Sequence, residues 1–281
     1  MEHEPNKKPA FDATQVQAFL EQNRAMVARI VGAARVAIAE LTPQMQQIKT
    51  ALKSILPPIA DLMNEVNGLP AEYRAAMLVV ANKGWYLGPE MAFDEPMRIA
   101  AAYADGRGDE AEFELVEHFR ARVDAIEADL VNRFPMSEPV LRQAFEAHRL
   151  GLYYASIPTF LTQVDGVCLD ITTTSYLFLK ERGEKRTGVA PYVDQIAEEP
   201  ITQAMLAPFL EPHTILLSES QRPADFEGLN RHMVLHGQSL DHGTEANSLR
   251  AVSLLYYSAR ALEEFNDVRA KKPSAGDLNP Q

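Results

Sequence analysis

The stretch Gly151-Leu152-Tyr153-Tyr154-Ala155-Ser156-Ile157-Pro158-Thr159-Phe160-Leu161-Thr162-Gln163-Val164-Asp165-Gly166-Val167-Cys168-Leu169-Asp170-Ile171-Thr172 decides the fold. Wound as a helix, it sets Tyr153, Ile157, Phe160, Leu161, Val164, Val167 and Cys168 almost all the way round. A helix that is apolar on several faces is a central one, wrapped by others. Its polar members, Gln163 and Asp165, are buried or face a site; an internally bonded or solvated Asp165 is the simpler expectation.

Working outward, the flanking segments also read as helices. Met136 to Arg149 precedes the central stretch. Before it, residues 95–104 and 109–133 form two helices joined by Asp105-Gly106-Arg107-Gly108. The second places Phe113, Val116, Phe119, Val123, Ile126 and Leu130 on one face. A helix from Ala71 to Asn82 is capped by Gly84, and the only tryptophan, Trp85, follows as an aromatic plug. Downstream, residues 201–210 make a short helix, and Thr214-Ile215-Leu216-Leu217 is short enough to be a scrap of strand. A final helix starts at Thr244 as N-cap and runs to about Ala270, burying Leu249, Val252, Leu255, Tyr256, Ala259 and Leu262. Near the N-terminus, Val27, Ile30, Val31, Ala34, Ile38 and Leu41, then Met45, Ile48, Leu52 and Ile55, form a heptad-like seam broken at Pro43. Such a seam suits another helix or a protein partner. The expectation is all-α: a multi-helix bundle with a disordered tail at 1–10, an N-terminal helical region at 11–94, a helical domain at 95–270 and a second disordered tail at 271–281.

Composition narrows the function. With 46% hydrophobic and 23% charged residues, the 281-residue chain is ordinary for a globular protein. A formal charge of -12 opposes broad backbone-driven nucleic-acid binding but leaves room for a small basic site on an acidic body. One cysteine, Cys168, excludes an intramolecular disulfide and suits the reducing cytoplasm. The first ten residues lack the apolar core of a secretory signal, and no apolar run reaches the ~18 residues of a membrane span.

The chemistry concentrates in Leu229-Asn230-Arg231-His232-Met233-Val234-Leu235-His236-Gly237 and its continuation to Thr244. An imidazole titrating near neutrality can take a proton from a ribose 2′-hydroxyl or give one to a leaving oxygen. A guanidinium can hold a phosphate and stabilise charge developing on it. In an ideal helix Arg231 and His236 stand roughly 140° apart, so they share no face unless the helix ends near Gly237 or two copies meet across a two-fold axis. Two other readings stay open. Arg231 can pair with Glu227 while His236 simply complements a helix C-terminus. Alternatively His232 and His236, four residues apart, can ligate a metal with Asp241 or His242, although no adjacent glutamate or further ligand motif completes the set. A second basic cluster, Lys180-Glu181-Arg182-Gly183-Glu184-Lys185-Arg186, is either a solvated loop or a phosphate-tracking edge.

Arg231-His232-Met233-Val234-Leu235-His236 resembles the Arg–polar–x3–His signature of the HEPN superfamily of all-α ribonucleases. Its context is similar to a bacterial subgroup of that superfamily: Asn230 before the signature and Gly237 after it, then Asp241-His242-Gly243-Thr244-Glu245 opening a helix. Gly84 to Met91, Ala144 to His148, Ser156-Ile157-Pro158 and Gln163 to Val167 share in the likeness, which spans residues from about 84 to 262. The resemblance implies a HEPN-like C-terminal core and a homodimer with facing motifs. It also implies metal-independent RNA cleavage without a cofactor, leaving a 2′,3′-cyclic phosphate and a 5′-hydroxyl, in an antiviral or toxin role. Arg231 would bind the scissile phosphate, His236 would be general base or acid, and His232 would orient them. Asn230, Lys185 and Arg186 are candidate substrate contacts. One departure stands out: the second signature position is more often Asn, Asp or another small polar residue than His. The principal alternative is a non-catalytic helical scaffold, and a metal-dependent hydrolase is the third.

Overall fold

The computed structural model describes the backbone of residues 68–179 and 186–271, with side chains to Phe265. The N-terminal seam, Lys185 and both expected tails but for Lys271 lie outside these residues. The described residues contain helices and no strand. Among them, no helix is long and apolar enough to cross a membrane.

Eleven α-helices follow in order within the described residues. They are α1 (68–82), α2 (Glu95–Ala104), α3 (Gly108–Arg120), α4 (Val123–Arg133), α5 (Glu138–Arg149) and α6 (Tyr153–Thr172). Then come three short ones, α7 (Ala190–Ile196), α8 (Pro200–Met205) and α9 (Ala207–Leu210), followed by α10 (Arg231–Leu235) and the long α11 (Glu245–Lys271). Residues from Tyr73 onward form one compact unit.

The centre is a pair of helices, α6 and α11, packed along each other, with α5 against α6 and α3 against α11. Helix α6 buries Ile157, Phe160, Leu161, Val164, Val167 and Cys168, as its all-round apolar pattern requires. Helix α11 is more central than its expected single stripe suggested. Ala251 through Ala259 are buried without interruption. Two of these positions are serines, Ser253 and Ser258, and Ser248 is buried one turn earlier; Ser248 and Ser253 have clear partners. The hydroxyl of Ser248 bonds His148 Nδ1 at 2.8 Å and Ser156 Oγ at 2.9 Å. That of Ser253 accepts from the Tyr86 N–H at 3.3 Å. Small side chains let the two helices approach closely, and internal partners offset the cost of burying the hydroxyls.

The capping chemistry read from the sequence is present. Thr244 Oγ1 accepts from the Asn247 N–H at 3.2 Å, so Thr244 is the N-cap of α11. Gly84, at φ +86°, closes α1, with Gly84 N–H to Ala81 O at 2.9 Å and Trp85 N–H to Val80 O at 3.2 Å. Trp85 is fully buried, stacks on Phe119 at 5.5 Å and donates to Glu112 at 3.0 Å.

Three expectations need correction. The single helix over 109–133 is two, broken at Ala121 and Arg122, and Phe113 is 69% exposed. From Phe119, two backward steps of three rotate the stripe by about 120°, off the buried face. Steps of four keep Leu115 and Ala111 on it instead, and both are buried. The helix over 201–210 likewise divides, at Leu206. Thr214–Leu216 is a turn of 3-10 helix rather than strand, held because two side chains pin its backbone. Thr214 Oγ1 donates to Asn82 O at 2.5 Å, and Asn230 Nδ2 donates to Thr214 O at 2.9 Å.

Candidate functional site

Helix α10 is only five residues long, and both ends are fixed by side-chain or glycine chemistry. Asn230 is its N-cap: Oδ1 accepts from the Met233 N–H at 3.1 Å and from Arg222 at 3.2 Å. The amide Nδ2 donates to Thr214 O and Leu217 O, both at 2.9 Å. Asn230 is buried, with every hydrogen-bonding role of its side chain engaged inside the protein. It therefore stitches the 214–217 segment to α10. At the other end His236 is the C-cap and Gly237 turns left-handed at φ +67°. Gly237 N–H reaches Val234 O at 3.2 Å and Gln238 N–H reaches Met233 O at 2.8 Å, the paired bonds of a glycine-terminated helix. The termination near Gly237 is thus as the sequence indicated.

Within that short helix the ionisable side chains divide. The Arg231 guanidinium lies over the Phe178 ring at 5.0 Å and faces Asp165 Oδ2 at 3.8 Å. Its ion-pair partner is Asp165 of α6, not Glu227: α10 begins only at Arg231, so Glu227 is not a helical turn away. Asp165 Oδ1 accepts the Phe178 N–H at 2.9 Å, which is the internally bonded state expected of it. Desolvation raises the Asp165 pKa, against the opposing pull of the Phe178 N–H and of Arg231. Arg231 makes no hydrogen bond among the described residues, and its Nε is buried without a partner. A stacked guanidinium with unfilled donors is poised for an external acceptor.

His232 and His236 face each other, ring centroids 4.3 Å apart, as their spacing of four dictates. Neither imidazole hydrogen-bonds to a described residue. Partial desolvation lowers the His232 pKa, helped by His236, Arg222 and Arg231 and opposed by Glu219. That direction favours the neutral, proton-accepting form of His232. Asp241 and His242 are engaged elsewhere. Ser239 Oγ donates to Asp241 at 2.9 Å, and His242 Nδ1 bonds Ser239 O at 2.8 Å against the Tyr154 ring. No group of three His, Cys, Asp or Glu among the described residues is arranged to hold a metal ion.

Arg231 and His232 both line a cavity of about 160 Å³, walled by Leu177, Phe178, Pro212, Ile215, Leu216 and Leu217. Next to its wall, Gly188 N–H reaches Leu177 O at 3.3 Å, and a Cβ at Gly188 would collide with the carbonyl oxygens of Tyr176 and Leu179. A larger cleft of about 510 Å³ opens beside Met136 and Asp170. Its arginine, Arg133, is already paired with Asp129 at 2.9 Å and with Glu263, so the smaller cavity is the chemically available one.

The sequence-derived site residues thus separate. Arg231 and His232 share a cavity, and His236 stands beside His232. Asn230 is behind them as a fastener. Arg186 is distant in role: it forms a two-pronged pair with Asp194 at 2.7 and 2.8 Å. Lys185 is outside the described residues. Sequence reasoning passed over Phe178 and Arg222, which only the tertiary fold brings to the motif. No protein-family model matches the chain, and comparison with curated proteins and with solved structures gives no significant match.

Proposed function

We propose that the chain is a metal-independent endoribonuclease of HEPN type, acting in the cytoplasm on RNA with Arg231, His236 and His232 at its centre. The observation that carries the reading is the group of unfilled hydrogen-bonding atoms: a guanidinium without a hydrogen bond and two unbonded imidazoles on one short helix. Structural arginines and histidines spend these atoms on internal partners, as Arg186 and His213 do here.

In the proposed reaction Arg231 holds the scissile phosphate and stabilises the charge that builds on its oxygens. One imidazole takes the 2′-hydroxyl proton, the 2′-oxygen bonds to phosphorus, and the bond from phosphorus to the 5′-oxygen breaks. The departing 5′-oxygen receives a proton from a second imidazole. The products are a 2′,3′-cyclic phosphate and a 5′-hydroxyl, and no atom is left unaccounted for. His236 is the exposed partner, and His232 beside it is the acceptor or orienting group.

Arg231 turns toward Asp165 while His236 turns toward His232, which favours a site completed by a second copy. Tyr154 and Leu240, both more than half exposed, meet near the motif, where Tyr154 Oη donates to Leu240 O at 2.9 Å, and Leu152, also more than half exposed, stands two residues before Tyr154. These side chains are the surface we assign to the two-fold contact. The test is cleavage of RNA in EDTA by the purified chain and by Arg231→Ala and His236→Ala. Loss of cleavage in both variants, with unchanged melting temperature, supports the proposal; cleavage retained in both rejects it.

A further inference from the structure

The apolar part of the cavity beside Arg231 has no role in the transfer chemistry, yet it is open to the same ligand. From its size, its lining and the unfilled donors on its wall we infer that it is a base-recognition pocket selecting a single unstacked pyrimidine next to the phosphate held by Arg231. This deepens the ribonuclease reading and rests on it for the identity of the ligand.

Size comes first. An apolar cavity of about 150 Å³ accommodates one benzene ring, and this one measures about 160 Å³. A six-membered pyrimidine fits such a volume, and the fused second ring of a purine does not without displacing the wall. That wall is stiff. Ile215 is buried, the 214–217 turn is pinned twice by Asn230, and Gly188 brings the opposite loop into backbone contact.

The lining supplies the second argument. Leu177, Pro212, Ile215, Leu216 and Leu217 offer apolar surface to the faces of a flat ring, and Phe178 offers a stacking partner. The Thr187 hydroxyl is spent on Phe209 O. The unbonded His232 imidazole lies on the same wall, and the buried Nε of Arg231 is a donor without an acceptor. Uracil and cytosine both carry a carbonyl oxygen at the ring position between their two nitrogens, and both can satisfy it. A ligand lacking an acceptor would leave that donor buried and unpaired; purines carry acceptors too, so the cavity's volume is what sets pyrimidine against purine.

The experiment is a competition titration on the full chain in EDTA. The probe is a fluorescein-labelled, 2′-O-methylated hexauridylate, which binds without being cut, and the competitors are UMP, CMP, AMP and GMP. UMP and CMP are expected to displace it at concentrations at least about tenfold below those of AMP and GMP. Leu216→Trp, which fills the pocket from its half-buried rim, is expected to abolish that difference while leaving the melting temperature within a few degrees. Equal competition by all four nucleotides, a purine preference, or no saturable binding of any of them overturns the inference on the wild-type chain alone, even where the variant fails to fold. Pyrimidine preference without cleavage of unmodified RNA would overturn the ribonuclease reading and leave the pocket standing. Cleavage without base preference would do the reverse.

Discussion

Replacing Asn230 by alanine removes three things at once: the N-cap of α10 and the donors to Thr214 O and Leu217 O. Loss of an N-cap costs about 1 kcal/mol. Each carbonyl left without its donor costs roughly another 1 kcal/mol if water cannot reach it. Thr214 is buried but Leu217 is only half-buried, so the second carbonyl recovers part of its loss by hydration. The expected destabilisation is about 2–3 kcal/mol, read as a shift in the urea midpoint with unchanged slope. Asn230→Ser separates the contributions. Serine restores the cap and not the two carbonyl bonds, so it should recover about 1 kcal/mol and no more. Because Asn230 also holds the cavity wall against Arg231, both variants are expected to weaken nucleotide binding in step with stability. A residue that touched substrate directly would behave otherwise, losing binding with stability intact. An Asn230→Ala chain less than about 0.5 kcal/mol weaker than the parent would refute the fastening role.

Other perturbations test separate parts of the structure. Burial drives the His213 imidazole down to about 4, where it sits between Tyr86 Oη at 3.1 Å and Pro208 O at 2.9 Å. The folded pKa lies below the unfolded one, so the stability from this group is intact above about pH 6.5 and falls as pH drops toward 4. Melting temperatures between pH 7.5 and 4 should decline more in the parent than in His213→Gln, and parallel declines would contradict the assignment. Asp165→Asn keeps an acceptor for the Phe178 N–H and removes the charge opposite Arg231. The pair is 3.8 Å apart and the Arg231 side chain is 31% exposed, so neutralising Asp165 should change stability by less than about 1 kcal/mol and tighten phosphate binding; weaker binding of inorganic phosphate in a titration would count against Arg231 as the anion contact. Gly188→Ala should lower the melting temperature by several degrees through its collision with two backbone carbonyls, an outcome of no change being incompatible with the packed loop.

Periodicity made the helical architecture legible, and it failed where packing chose among equivalent phases. The all-round apolar character of 153–172 was enough to place α6 at the centre. Phe113 was misread because a large apolar side chain in steps of three looks like a stripe, whereas Trp85 stacking on Phe119 selects the steps of four. Thr214–Leu216 resisted reading because its conformation comes from Asn82 and Asn230, neither of them local. At the site, the spacing of His232 and His236 foretold their pairing, and Gly237 foretold the helix end. The partner of Arg231 was not legible: Asp165 and Phe178 are distant in sequence, and nothing in their local patterns ties them to it. Asn230 shows the converse limit, since a polar residue beside a motif reads as a substrate contact until its bonds are seen to close inward.

The most direct measurement is cleavage of a mixed-sequence RNA in EDTA by the parent chain, Arg231→Ala and His236→Ala, with the product ends determined. Fragments ending in a 2′,3′-cyclic phosphate from the parent, falling by at least about a hundredfold in each folded variant, are the expected result. Undiminished cleavage by both variants, or no cleavage by the parent at any pH between 6 and 9, would contradict the assignment of these residues to catalysis.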